Sequence, residues 1–188
     1  IEDNTGTRLL VDYGLAPTRP PKYPSEAPKV EEAIMTHAHI DHIGMAPWLV
    51  SAYDTALHST EMTAAVSEIM WKDTYKVSDI EGYPLGWDKR DLDLALEAWA
   101  PHDFGMWFPV GQWRCRLHRA GHIPGAAMVE IETPEARILW SGDMDTRDSP
   151  NAAGATPVEC DILCLEGTYG GRSHRPREEE EARFVAKV

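Results

Sequence analysis

Three histidines and one aspartate lie within six residues, in the segment His37-Ala-His39-Ile-Asp41-His42. The segment follows an apolar run at 33–36 that predicts a buried strand, and a helical pattern follows it. Imidazole suits Zn²⁺ and related ions, and a neighbouring carboxylate can hold a second ion. In an extended segment His37 and His39 point the same way, whereas Asp41 and His42 reach a different position. The spacing therefore predicts two adjacent metal positions.

Other polar residues stand at the ends of predicted strands. His122 lies in the Gly/Pro-rich loop 121–125, Asp143 follows the strand 137–140, and Asp12 ends the first strand. Taken alone, each of these residues could serve only a turn or a cap. Together they favour a single site, because α/β sheets build their sites at the carboxyl ends of strands. Further histidines without partner spacing are interpreted as packing or surface residues: His58, His102 and His118.

The elements that must position these residues alternate along the chain, which predicts one α/β unit. The predicted strands are 8–12, 33–36, 55–58, 113–118, 128–132, 137–140 and 161–165, with strand-like residues from Phe108. The predicted helices are 44–52, 61–77, 91–100 and 178–188. Thr60 is expected to cap the helix 61–77, whose Ala65, Ile69 and Tyr75 are predicted to lie near one apolar face.

Composition limits the function classes. The 188 residues, enough for one domain, carry 18 Lys and Arg against 31 Asp and Glu, a formal net charge of −13. A broad basic surface for nucleic acid is therefore excluded, although bound cations would reverse the local field. No apolar run reaches the roughly 20 residues of a membrane span, and three cysteines do not make a disulfide framework. We expect a cytoplasmic location and no membrane partner.

The order of the motifs resembles that of the metallo-β-lactamase fold and, within it, the β-CASP nucleases. Asp12, the cluster 37–42, His122 and Asp143 follow one another as that fold's signature motifs do. The segment Leu165-Glu166-Gly167-Thr168-Tyr169-Gly170 resembles the acidic motif at which those enzymes enter the β-CASP lobe. The segments GHIPGAA and SGDM also have the β-CASP form, so the resemblance covers nearly the whole chain.

The resemblance implies an αββα metallo-β-lactamase sandwich, of which this chain is the N-terminal portion, ending before the β-CASP lobe. Residues 1–165 are then the first part of the lactamase domain, and 166–188 are the junction to the next lobe. The chain also begins within a strand pattern and closes on a helical pattern without a stop signal. We therefore expect it to be a piece of a longer protein.

The resemblance also implies a role for each candidate residue. His37, His39 and His122 would hold one Zn²⁺, Asp41 and His42 a second, and Asp143 would bridge the two. Asp41 would also accept a proton from the attacking water, Asp12 would orient a ligand imidazole, and Glu166 would organise the site. The suggested substrate contacts are Arg172, His174 and Arg175. Because the family takes further histidines from later motifs, the second metal site is expected to be incomplete here.

The function implied is metal-dependent phosphodiester hydrolysis. A glutamate at position 166 resembles the RNA-processing branch, so the expected substrate is RNA, and the whole protein would be a homodimer or a processing-complex subunit. One alternative is a small-molecule metallo-hydrolase acting on an ester, lactone or amide, which would have no use for the 165–170 motif. Another is a DNA nuclease of the same family. An inactive interaction subunit is disfavoured because every expected ligand in the covered motifs is intact.

Overall fold

The first sheet of the protein is parallel and has four strands. In this computed structural model, which describes residues 1–173 and 175–187, the strand order is β1-β2-β3-β4. The strands are β1 (Leu10–Val11), β2 (Glu32–Ile34), β3 (Ala56–Ser59) and β4 (Trp99–Pro101). The helices between them are α1 (Ile40–Ile43), α2 (Ala46–Tyr53), α3 (Glu61–Glu81) and α4 (Lys89–Glu97).

The second sheet has five strands in sequence order. Its strands are β5 (Trp107–Val110), β6 (Trp113–Arg119), β7 (Ala127–Glu132), β8 (Arg137–Trp140) and β9 (Ile162–Cys164). The first four pair as antiparallel neighbours, and β9 pairs in parallel with β8. A final helix, α5 (Arg177–Val185), buries none of its described residues.

The two sheets face each other across an apolar core. Leu9, just before β1, and Ile34 of β2 pack with Leu117, Val129 and Ile131 of the second sheet, and all five are almost fully buried. The alternation of β6, with buried Trp113, Cys115 and Leu117 between more exposed residues, is the period of two expected when one strand face is buried. The other face of the first sheet is covered by helices α2, α3 and α4. This helix–sheet–sheet arrangement confirms the predicted α/β sandwich and contains three of the four layers that the resemblance implied.

Helix α3 begins as predicted but buries a different face. The Thr60 side chain accepts a hydrogen bond from the Thr63 backbone N–H, and the helix continues to Glu81, four residues beyond the predicted end. The predicted apolar face was wrong, because Ala65, Ile69 and Tyr75 are all exposed.

The buried face of α3 consists instead of small hydroxyl residues and one large ring: Thr63, Ser67, Trp71 and Ser78. The Ser67 hydroxyl donates to the Thr63 carbonyl, and the Trp71 indole donates to the Ile43 carbonyl. A buried polar group costs little when it is hydrogen-bonded in this way. Hydrophobicity alone therefore selected the wrong side of the helix.

The boundaries of α4 also differ from the prediction. Asp88 and Asp91 form a capping box, so the helix begins at Lys89 rather than at 91. Residues 99 and 100, predicted as the helix end, form β4, in which Trp99 and Ala100 pair with β3. Pairing with a neighbouring strand outweighs local helix propensity here. Within the described residues, none of the helices is both long and apolar enough to cross a membrane.

Candidate metal centre

The candidate ligands converge at one edge of the two sheets. The segment 37–42 follows β2, Asp12 follows β1, and Asp143 follows β8. His122 lies in the loop between β6 and β7. Asp12 adopts a left-handed backbone conformation with φ of 61°, and its N–H donates to the Ile34 carbonyl. This turn of the chain directs the Asp12 side chain towards the segment that carries the histidines.

Three imidazoles and one carboxylate form the tighter part of the centre, which we call the first ligand set: His37, His39, His122 and Asp143. The Nδ1 atom of His39 lies 3.0 Å from Nε2 of His37 and 3.1 Å from Nε2 of His122. Oδ2 of Asp143 lies 3.9 Å from Nε2 of His37 and 3.7 Å from Nε2 of His122. One donor atom from each of the four residues therefore lies within 4.8 Å of the others.

The second ligand set comprises Asp41 and His42 and shares Asp143. Oδ1 of Asp143 lies 3.4 Å from Nε2 of His42, and Oδ2 of Asp41 lies 3.9 Å from the same nitrogen. The two oxygens of Asp143 therefore face different sets, which is the arrangement a bridging carboxylate needs. The Asp41 side chain is 53% exposed, so its carboxylate is open to solvent.

The donor set fits a divalent metal ion such as Zn²⁺. Tetrahedral Zn²⁺ with Zn–N distances of ~2.0–2.1 Å would separate its ligand nitrogens by about 3.4 Å. The observed separations of 3.0 and 3.1 Å are close to that value. Neutral imidazoles and a carboxylate are the ligand chemistry that zinc takes in proteins.

Electrostatics favour the neutral form of two histidines of the first ligand set, His37 and His122. Burial, followed by the neighbouring His42, His122 and His39, lowers the pKa of His37 to about 2. Burial is also the largest cause of the lowered pKa of His122. A metal-binding imidazole must be neutral, so these shifts favour the ligand form.

Asp12 orients His42. Its Oδ2 lies 2.8 Å from Nδ1 of His42 and accepts from the Thr36 hydroxyl at 2.8 Å, while Oδ1 accepts from the Thr36 N–H at 2.7 Å. Burial is the largest influence on His42 and lowers its pKa, but the hydrogen bond and charge of Asp12 outweigh it and the pKa is raised. With Nδ1 held by Asp12, Nε2 of His42 is turned towards Asp143.

Glu166 lies beside the centre and outside both ligand sets. Its Oε1 accepts from the Met144 N–H at 2.8 Å, and its own N–H donates to the Ser141 hydroxyl at 3.0 Å. Burial, the largest influence, raises the pKa of Glu166, but hydrogen bonds from Met144 and Thr168 outweigh it and lower the pKa. Glu166 thus ties the segment after β9 to residues on both sides of Asp143, through the Ser141 hydroxyl and the Met144 N–H.

The suggested substrate contacts Arg172 and Arg175 form no ion pair with the carboxylates of the two ligand sets, as far as the described residues show. Arg172 is exposed and, among residues 1–173 and 175–187, has no carboxylate within ion-pair distance. Nε of Arg175 lies 3.6 Å from Glu180, and Arg177 pairs with Glu181 at 2.8 Å, so both guanidinium groups face acids of α5. His174 lies outside the described residues.

Sequence reasoning missed the residues that hold the His122 loop. The Thr60 and Thr63 hydroxyls both donate to the Gly125 carbonyl, at 2.8 and 3.0 Å. Gly125 has φ of 86°, and a Cβ there would lie 2.9 Å from both Met62 Cβ and the Thr63 nitrogen. Among the sequence features, only the glycine at 125 and the threonines around the predicted cap at 60 point to this contact.

The fold and the ligand sets define a two-sheet α/β protein with a candidate dinuclear metal centre at one sheet edge. Residues 1–152 match the family described as the metallo-β-lactamase superfamily. The chain therefore belongs to the metallo-β-lactamase superfamily.

Curated relatives confirm the resemblance to β-CASP ribonucleases. The chain is 30% identical to Ribonuclease TTHA0252 of Thermus thermophilus, covering 96% of this chain and 42% of the relative. It is 32% identical to Cleavage and polyadenylation specificity factor subunit 3 of Dictyostelium discoideum, covering 87% and 22%. It is 28% identical to Probable RNase MJ4 of Methanocaldococcus jannaschii, covering 97% and 45%. The chain thus spans less than half the length of each of these relatives.

Proposed function

We propose that this chain is the metal-binding part of a β-CASP-type ribonuclease that hydrolyses RNA phosphodiester bonds with two Zn²⁺ ions. The single observation that carries the proposal is the convergence of four donor atoms from His37, His39, His122 and Asp143 within 4.8 Å. The other oxygen of Asp143 faces His42, which supports a second ion beside the first. The second set is incomplete within this chain.

The chemistry follows from what each side chain can do. When bound, a pair of divalent ions lowers the pKa of a water molecule and stabilises charge on the scissile phosphate. Asp41, solvent-exposed and next to His42, is the group proposed to accept the proton of that water. Asp12 holds the tautomer and direction of His42, and Glu166 holds the chain around Asp143. These two carboxylates are therefore proposed to position the reacting groups.

RNA is proposed as the substrate on the basis of the relatives and of one motif. Two of the relatives described above are named ribonucleases, and the third is named as a cleavage and polyadenylation factor. Glu166 in the 165–170 motif is the residue that resembles the RNA-processing branch. A contact with the 2′-hydroxyl is what distinguishes RNA from DNA, and we expect this contact to come from the β-CASP lobe.

The biological setting is also part of the proposal. We propose that the whole protein acts in the cytoplasm, as a homodimer or as a subunit of an RNA-processing complex. The resemblance to Cleavage and polyadenylation specificity factor subunit 3 supports the complex. Size measurement of the native protein with and without RNase treatment would distinguish the two assemblies.

The test is metal analysis of the intact protein together with cleavage of matched single-stranded RNA and DNA. Both substrates are compared at one salt concentration, because phosphate contacts make affinity salt-dependent. We expect two zinc ions per chain and faster cleavage of RNA. Faster cleavage of DNA would favour the DNA-nuclease alternative, and hydrolysis of an ester, lactone or amide with neither polymer cut would favour the small-molecule hydrolase.

A further inference from the structure

A cavity of about 410 Å³ opens directly beside the loop that carries His122. Both neighbours of that histidine, Gly121 and Ile123, line it, and the opposite wall is the loop 148–153. Gly121 packs closely against the segments on either side of that loop, since a Cβ on it would lie 2.1 Å from the Asp145 carbonyl oxygen and 2.8 Å from Gly154 Cα. The cavity therefore adjoins the loop that carries His122, while the candidate metal ligands themselves do not line it.

Arg119 is the one cationic side chain among the residues that line this cavity. It is the last residue of β6, three positions before His122, and its side chain is exposed. Across residues 1–173 and 175–187 no carboxylate lies within ion-pair distance of it, whereas most other arginines of this acidic chain are paired with Glu or Asp. Asp148 also lines the cavity, but its Oδ1 accepts a hydrogen bond from the Gly154 N–H.

The guanidinium of Arg119 is held in place by an aromatic ring. Its Cζ lies 4.7 Å from the centroid of Phe104, which packs against the core between the sheets. Stacking of this kind restricts a long side chain while leaving its N–H donors free. An unpaired guanidinium that is already oriented loses less freedom when it binds an anion.

Phe104 also lines a second cavity, in which the charged residues differ. This cavity of about 420 Å³ is lined by Glu61 and Asp103 as well as by His102. Those carboxylates repel phosphate, whereas Arg119 attracts it. A polyanion that leaves the metal centre along the His122 loop is therefore favoured in the cavity that Arg119 lines rather than in the one lined by Glu61 and Asp103.

We infer that Arg119, oriented by Phe104, binds a backbone phosphate of the RNA strand next to the scissile bond, which makes the cavity a substrate subsite. This inference rests on the proposed function, because it takes the strand to start at the candidate metal centre. Phosphate contacts position a strand without reading its sequence, so the subsite holds RNA of any sequence. Arg119 is thus a substrate-binding residue and Phe104 a positioning residue.

The experiment compares Arg119→Gln with Arg90→Gln in the intact protein. Arg90 is a matched control because it is exposed on α4 and, within the described part of the chain, pairs with no carboxylate. We measure binding of a labelled single-stranded RNA without metal, KM and kcat with zinc, and the salt dependence of binding. For R119Q we expect about a three- to tenfold loss of affinity, a raised KM, little change in kcat, and a salt slope smaller by about 0.7.

Two further variants separate binding from folding. Arg119→Lys keeps the charge and is expected to recover part of the affinity, and Phe104→Leu is expected to lose affinity while Arg119 remains. If the wild type cleaves RNA but R119Q loses no more affinity than R90Q, the inference about Arg119 is wrong and the proposed function is unaffected. A wild-type protein that neither binds nor cleaves RNA would overturn the proposed function and the inference with it.

Discussion

Two clusters of histidines and carboxylates in this chain differ in which groups surround their buried side chains. In the first ligand set, ring nitrogens of His37, His39 and His122 face one another at 3.0 and 3.1 Å. In the second cluster, on β6 and β7, fully buried Glu130 receives hydrogen bonds from His118 at 2.6 Å and Arg116 at 2.9 Å. The first cluster brings three imidazoles and one carboxylate together, whereas the second surrounds one carboxylate with an imidazole and the guanidinium groups of Arg116 and Arg137.

The difference shows how a structural ion cluster is distinguished from a candidate metal site. The groups that compensate Glu130 belong to the chain itself. Burial is the largest single influence on Glu130 and raises its pKa, but hydrogen bonds and charge from His118 and Arg116 together outweigh burial, so the pKa of Glu130 is lowered. Within the described part of the chain no Lys or Arg forms an ion pair in the first ligand set, and burial together with the neighbouring imidazoles lowers the pKa of His37 to about 2. A cluster of neutral donors that face a common point is completed by an external cation.

The largest expected difference between the two clusters is found by removing one histidine from each. His37→Ala is expected to lose bound zinc and more than about 100-fold of ribonuclease activity, exceeding the effect typical of residues that only orient ligands. His118→Ala is expected to keep its zinc and activity, because His118 serves only Glu130. Metal analysis and turnover on RNA measure both. Retention of zinc and activity by H37A would contradict the metal assignment.

Within the candidate centre, two of the aspartates beside His42, Asp143 and Asp12, should differ in their effect on activity. Asp143→Ala is expected to reduce activity more than Asp12→Ala, because Asp143 faces both ligand sets whereas Asp12 orients one imidazole. A residue that orients a ligand typically changes metal affinity or activity by roughly 10–100-fold. Zinc titration and kcat are the measurements, with Asp93→Ala on α4 as the control. Equal losses at full metal occupancy would rule out a bridging role.

The contact between α3 and the His122 loop gives a smaller effect. Gly125→Ala is expected to cost about 2 kcal/mol of unfolding free energy and to weaken zinc binding, because both the φ of 86° and the neighbouring α3 atoms oppose a Cβ. Gly82→Ala is the matched control, since φ is 72° there but the space is open. We expect it to cost about 1 kcal/mol and to leave zinc affinity unchanged. Denaturant unfolding and zinc titration of both variants and the wild type test this. A zinc affinity of G125A equal to that of G82A would contradict the expected effect on zinc binding.

The acid stability of the Glu130 cluster gives the smallest effect. The folded pKa of Glu130 lies below its ordinary value of 4.5, so its stabilising contribution is complete above pH 4.5 and is lost as the pH falls through the folded pKa. The stability advantage of the wild type over Glu130→Gln should therefore shrink below about pH 4.5. Denaturant unfolding of both proteins at pH values between about 3 and 7 measures this difference in unfolding free energy. An advantage that grows on acidification would show that the sign is wrong.

Much of the candidate site followed from short-range patterns. The spacing of His37, His39, Asp41 and His42 after an apolar run places them on one loop, because a strand end and a following turn determine where nearby side chains can reach. The strand at 137–140 was predicted with the bounds that the structure shows, and Thr60 was predicted as the cap of α3. His58, interpreted as a packing or surface residue, is buried against Phe108 and also hydrogen-bonds Glu32. His118, interpreted in the same way, hydrogen-bonds Glu130, a contact that the sequence did not predict.

Sequence by itself determined the residue types of the site and the strand ends from which they project. Tertiary structure decided that His122 lies beside His39, 83 residues earlier, and that each oxygen of Asp143 faces a different ligand set. It also decided which face of α3 is buried and that Trp99 joins a sheet. These outcomes depend on packing between segments distant in the chain. The buried Thr63 hydroxyl of α3, for example, is satisfied by the Gly125 carbonyl of the His122 loop.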